Sequence, residues 1–178
     1  SCPSSESESK SKSKEETLIT GSSFIDDRDG TSYQVVVINS QIWMAENLNF
    51  GDLTNALNDE SLQKNNFKYC LDNKYENCTS YGGLYQWHTM MNLDSSCVNS
   101  TCEDVSKNVN HQGVCPVDWH IPQQKEWDEL ILFLGGEVLA GGALREKYSD
   151  SSSWVSEVKY AGILTEFNGF ASGYRNDD

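Results

Sequence analysis

The chain has 178 residues and sets 27 acidic side chains against 13 basic ones, a net charge of −14. That balance excludes the basic footprint that nucleic acid requires and disfavours electrostatic docking to anionic lipid. The length fits one domain with a tail, and at 11% aromatic residues many of the large rings should lie in its core.

Residues 1–23 read as a disordered tether. Ser1-Cys2-Pro3-Ser4-Ser5 leads into Ser alternating with Glu and then with Lys, and nothing there offsets the entropy of ordering. Cys2, at the head of a Ser-rich polar run, has the form of the lipid-attachment cysteine of a processed bacterial lipoprotein. The plain alternative is a thiol in a flexible tail. A start at Ser1 rather than Met fits a removed leader or a trimmed chain. No run of about 18 apolar residues reads as a membrane-spanning helix.

An ordered domain is expected over 24–178. Residues 24–38 read as strand, Asp-Gly turn, strand. Asn39-Ser40 makes the next turn, and 41–45 a third short strand. The Asp-rich turn does not fit an EF-hand loop. With Gly30 at the glycine position, Ile25 would fall where the first ligand belongs.

Residues 51–80 read as a polar loop pinched by Cys70 and Cys78. Leu84, Trp87, Met90 and Met91 fall at helical spacing and predict a short amphipathic helix. His88 beside that stripe reads as a hydrogen-bonded structural residue. Residues 92–114 form a second loop, holding Cys97 and Cys102. A second helix is predicted over 123–134, with Trp127, Leu130, Ile131 and Leu134 on one face and Gly135-Gly136 as its stop. Gln123 caps it less well than Ser, Thr or Asp would, while Glu126 suits the positive end of the helix dipole. Beyond lie Ala140-Gly141-Gly142-Ala143-Leu144, a Ser-rich loop at 149–153, Trp154, and a Gly-punctuated stretch at 167–176. Those glycines suggest tight turns, and neither a GxGxxG nor a Walker pattern occurs.

Six cysteines allow fifteen pairings. If Cys2 carries lipid, the near-sequence pairs are Cys70 with Cys78 and Cys97 with Cys102, and Cys115 stays unpaired. A bridge over a loop of about nine residues would stabilise by roughly 2.6 kcal/mol on chain-entropy grounds. Zinc is the competing reading, with His88, His111 and His120 as nitrogen donors. Neither cysteine pair has the tight C-x2-C spacing, although Cys97 and Cys102 fit C-x4-C. Disulfides are the preferred reading, and they imply an oxidising, extracytoplasmic compartment.

Several blocks together resemble one bacterial family, the Fibrobacter succinogenes major paralogous domain. They are Arg28-Asp29-Gly30-Thr31-Ser32-Tyr33, Trp43-Met44-Ala45-Glu46-Asn47-Leu48, and Cys70, Asp72, Asn73 and Cys78. Tyr81-Gly82-Gly83-Leu84-Tyr85-Gln86-Trp87 follows, then Cys115-Pro116 with Trp119-His120-Ile121-Pro122 and Glu126-Trp127. Ala140-Gly141-Gly142 with Leu144, and Gly173-Tyr174-Arg175, complete the set. The resemblance implies an α+β, C-type-lectin-like fold: short antiparallel strands, two helices and long disulfide-stapled loops. Gln123 departs from the Ser or Thr usual in the family. Family members continue past the point matching Asp178 to a further Cys, a natural partner for Cys115, so the domain is expected to be incomplete at its C-terminus.

The related formylglycine-generating enzymes use cysteines late in the domain, in a region this chain does not include. The calcium motifs of lectins are also absent. No catalytic residue, metal site or cofactor is therefore carried over, and fold alone licenses no function. The expected function is a non-catalytic, lipid-anchored cell-surface domain for binding or display, meeting polysaccharide or another envelope protein. Its only tie to the bacterial outer membrane would be lipid on Cys2. Trp43, Trp119, Trp127 and Trp154 could stack on sugars, although core is the plainer role for most. A structural envelope protein without a soluble ligand is the alternative. An enzyme is less favoured, since no carboxylate pair stands out and G-x-S-x-G is missing. Cys115 near His120 reads better as a turn with a structural bridge than as a catalytic pair.

Overall fold

The structure, a computed structural model, describes residues 2–4, 19–54, 67–98, 110–145, 165–167 and 169. Its centre is a three-stranded antiparallel sheet in the order β1-β2-β3. β1 (Ile19–Asp26) and β2 (Thr31–Ile38) form the expected hairpin, in register from Asp26 opposite Thr31 to Ser22 opposite Val35. β3 (Gln41–Met44) pairs along the other side of β2, from Ile38 opposite Gln41 to Val35 opposite Met44. β-Branched Val35, Val36, Val37 and Ile38 suit this central position.

Two findings correct the expected tether over 1–23. β1 begins at Ile19, inside that segment. Residues 2–4 also extend the sheet beyond β3. Ser4 N–H donates to Ile42 O at 2.9 Å, and Met44 N–H donates to Cys2 O at 3.1 Å. His120 N–H donates to Pro3 O at 3.1 Å from the far side. Pro3 has no N–H to give, and its place opposite Trp43 needs none, because residues 2 and 4 make the bonds to β3. Residues 5–18 lie outside the described residues.

The sheet separates two apolar layers. On one face Val36, Ile38, Trp43 and Ala45 pack with Leu130, Leu134, Ala140, Ala143 and Phe167. On the other, Tyr33 and Met44 pack with Leu48, Val114, Trp119 and the Cys2 and Cys115 side chains. Period-2 alternation along β2 and β3 sorts the side chains between these layers.

α3 (Gln124–Phe133) matches the second predicted helix. Leu130 and Leu134 are buried, and Trp127 and Ile131 pack beside them. The Trp127 ring lies 4.8 Å from Trp43, and Phe167 meets Trp43 edge-on at 5.8 Å. Gln123 is a poor cap by type, but Glu126 Oε2 reaches back to accept its N–H at 2.8 Å, one arm of a capping box. Gly135 and Gly136 take φ of +92° and +98°, which ends α3 and lets α4 (Glu137–Leu144) fold back against it. The small Ala140, Gly142 and Ala143 form the buried side of α4.

The region between the sheet and α3 departs from expectation. The polar loop expected over 51–80 holds β4 (Asp52–Leu53) paired in parallel with β5 (Phe67–Lys68), and then α1 (Tyr75–Tyr81). α1 buries only Cys78, so it has no apolar stripe to read. The helix expected from Leu84 shrinks to α2 (Trp87–Met90). Leu84 instead exchanges N–H and C=O bonds with Tyr69, both at 2.8 Å, which holds it extended. The described residues thus contain four α-helices where two were expected. None is long and apolar enough to cross a membrane.

Candidate functional site

The loop-covered face of the sheet is fixed covalently. Cys2 and Cys115 form a disulfide, with Cα atoms 6.1 Å apart and both side chains buried. This corrects two expectations. A Cys2 sulfur bonded to Cys115 cannot also carry lipid, and Cys115 is not unpaired. The cause is the strand made by residues 2–4, which brings Cys2 beside the Cys-Pro turn at a spacing ordinary for disulfides. Cys70 and Cys78 form a second bridge, Cα atoms 4.9 Å apart. Cys97 is also disulfide-bonded, and Cys102 lies outside the described residues.

Of the sulfur donors in the zinc reading, Cys70, Cys78 and Cys97 are disulfide-bonded. Among the described residues no three His, Cys, Asp or Glu side chains stand close enough to hold a metal. The three histidines are apart and engaged. His111 Nε2 meets Met91 O at 2.7 Å, His120 Nε2 meets Glu126 Oε1 at 2.8 Å, and buried His88 lies 3.4 Å from the Thr89 hydroxyl. Carboxylates of the Asp-rich turn are likewise engaged. Asp29 Oδ1 accepts the Thr31 N–H at 2.9 Å. Asp26 accepts Arg28 Nε at 2.8 Å and Nη2 at 2.7 Å. Burial pushes the Asp26 carboxyl up, but the Arg28 bonds and charge outweigh it and hold it below its ordinary range.

Residues 45–50 run over this face without regular structure, so their backbone groups need other partners. Side chains supply many. Tyr33 Oη accepts the Asn49 N–H at 3.0 Å, Tyr85 Oη donates to Phe50 O at 2.7 Å, and Lys68 Nζ donates to Asn49 O. Glu46 Oε2 accepts the Gln34 N–H at 2.8 Å, and Asn47 Nδ2 donates to Tyr81 O at 3.0 Å. Arg28 spans the layer: its Nη1 donates to Val114 O at 2.9 Å and its guanidinium lies 3.7 Å from the Phe50 ring centre. Burial raises the Tyr33 hydroxyl to about 12 and raises Tyr85 as well. Burial lowers Lys68. Gly82, at φ +78°, is where a Cβ would run into Asn47, so only glycine lets the end of α1 lie this close to the loop.

Against this loop opens a cleft of about 400 Å3. Leu48, Tyr85, Met90, Ile121 and Trp127 give it apolar and aromatic walls, and Asn47 adds a carboxamide. Three sequence blocks meet there: Trp43-Met44-Ala45-Glu46-Asn47-Leu48, Tyr81-Gly82-Gly83-Leu84-Tyr85, and the run from Cys115 to Trp127. Of the four tryptophans considered for sugar stacking, Trp43 and Trp119 are buried in the two cores. Trp127 is half-buried and lines the cleft. Trp154 lies outside the described residues. Trp87, on the apolar stripe expected of the helix from Leu84, is 51% exposed. Tyr85, Met90 and Asn47 were not singled out as cleft residues. Nothing local marks them, since segments far apart in sequence bring them together.

A model of the family described as the Fibrobacter succinogenes major domain matches residues 36–178. The match begins within β2, after the Arg28-Asp29-Gly30 turn. No curated protein matches the chain, and no solved structure does.

Proposed function

The chain belongs to the Fibrobacter succinogenes major domain family, and we propose that it is a non-catalytic, extracytoplasmic recognition domain whose cleft takes a segment of polysaccharide. The observation that carries this reading is the cleft itself. Its walls are rings and methyl-bearing side chains with one carboxamide beside them, a combination that suits the C–H face of a sugar ring together with one hydroxyl. The net charge of −14 weighs against a polyanionic glycan. Disulfides support an oxidising compartment outside the cytoplasm. The antiparallel strands, helical layer and long stapled loops support a C-type-lectin-like fold.

Retention on insoluble cellulose, xylan and purified cell wall tests the reading, with near-UV circular dichroism confirming the folded state. Saturable retention that falls on Trp127→Ala, in a variant still folded, is the expected result. No retention of the folded protein on any of the three would sink it. A second reading, a structural envelope component, is favoured by Leu132 and Val138, which stand 78% and 81% exposed on α3 and α4. Concentration-dependent self-association in sedimentation, without glycan binding, would decide for it.

A further inference from the structure

A second cavity, of about 140 Å3, opens beside the same loop, and Asn47 lines both. Its walls come from the start of β2, the 46–49 segment and the last turn of α1. Thr31, Ser32, Thr79 and Ser80 bring hydroxyls, and Glu46 brings a carboxylate. No lysine, arginine or histidine is among the described residues that line it. Asn49 also lines it. Tyr33 supplies a donor. Its hydroxyl accepts the Asn49 N–H and carries its own proton to donate.

Size narrows the occupant. A dry cavity of about 150 Å3 holds a six-membered carbon ring, whereas a water takes only about 30 Å3. A single water or a bare ammonium would leave most of this pocket unfilled. Calcium favours several carboxylates among about 6–8 oxygens, and here Glu46 is the one acidic residue in the described lining. A six-membered ring bearing hydroxyls meets both the volume and the polarity.

We infer that this pocket holds one neutral pyranose unit, its hydroxyls donating to Glu46 and accepting from Tyr33 and the serine and threonine hydroxyls. This deepens the polysaccharide reading above and rests on it: the pocket grips one sugar while the cleft lies along its neighbours. The Cys70–Cys78 bridge holds the α1 wall in place, since Cys78 lies directly before Thr79 and Ser80.

The test titrates the 15N-labelled full chain with glucose, xylose, galactose and N-acetylglucosamine, with ethylammonium and calcium as separate probes. Saturable shifts of the Ser32, Asn49 and Ser80 amides with at least one sugar are expected. Ser80→Leu should block the pocket, and Glu46→Ala should weaken the same sugar by about tenfold, both with unchanged near-UV circular dichroism. Shifts with ethylammonium or calcium but with no sugar would overturn the inference. So would silence with every probe, which would leave the pocket to water. Polysaccharide retention in a chain whose pocket amides stay still would remove the pocket and keep the cleft. Loss of both retention and shifts would remove both.

Discussion

The two faces of the sheet are covered by opposite means. α3 and α4 cover Val36, Ile38, Trp43 and Ala45, and helices satisfy most of their own backbone, so that side needs little beyond apolar fit. Irregular chain covers Tyr33 and Met44, and N–H and C=O groups of it are met by Tyr33, Tyr85, Lys68 and Arg28. One face is therefore held by area and tolerates volume-conserving change. The other is held by directed bonds and a disulfide, where a single atom matters, and both candidate cavities open on that side. Such a division suits recognition: an inert half keeps the other half in shape.

The largest expected effect bears on the stapled face. Paired Cys2→Ser and Cys115→Ser should cost about 4.7 kcal/mol, the chain-entropy figure for a closed loop of ~100 residues. Urea unfolding of the variant against the parent measures it, and a loss near zero would mean the directed bonds suffice alone. Trp43→Ala on the helical face should cost about 3–5 kcal/mol. Near-UV circular dichroism should lose the signal of the Trp43–Trp127 pair.

Arg28→Met should cost about 3 kcal/mol at neutral pH, because it strands the Asp26 charge. It should also invert the acid response. In the parent, Asp26 has a lowered folded pKa, so its contribution is full above the unfolded value near 3.9 and fades as pH falls through the folded one. In the variant, burial acts without Arg28 and lifts the folded pKa above the unfolded one. Native protein then binds more protons than the unfolded chain, and the deficit shrinks as the solution is acidified. Denaturant midpoints measured from pH 7 to pH 3 read the sign directly. Equal slopes in parent and variant would show that Arg28 does not control Asp26.

Smaller effects sharpen the contrast. Tyr85→Phe removes the donor to Phe50 O and should cost about 1 kcal/mol, whereas Ile131→Leu on the helical side should cost less than about 1.5 kcal/mol with no change in local exchange. Hydrogen exchange of the 47–50 amides should rise only in the first. Gln123→Ser should add about 0.5 kcal/mol at the α3 cap, read as a small rise in thermal midpoint.

The helical side was the more legible in sequence, because its signals are local. Trp127, Leu130, Ile131 and Leu134 recur at helical spacing, and the Asp29-Gly30 turn between Val-rich and aromatic runs announces the hairpin. The stapled side was less so. Cys2 stands in a polar, Ser-rich setting typical of disorder, and its partner is 113 residues away, so neither spacing nor hydropathy links them. α1 stayed hidden because only Cys78 turns inward. α2 was overcalled because Leu84 spends its backbone on Tyr69. The blocks that line the cleft were visible as blocks. That they meet follows from contacts across the fold, which no single window of sequence contains.

The Cys2–Cys115 bond also divides the molecule mechanically. Tension entering at residue 2 passes straight through sulfur to residue 115 and bypasses everything between. With 113 residues in the shunt at about 3.5 Å each, roughly 400 Å of contour is hidden from the pull. The sheet, the smaller cavity and the Cys70–Cys78 loop all lie within that shielded length. Only the Trp119–Trp127 run, α3, α4 and the chain beyond them remain in series with the force. The helical layer therefore yields as the extensible element, while the smaller pocket keeps its shape until the bond is reduced.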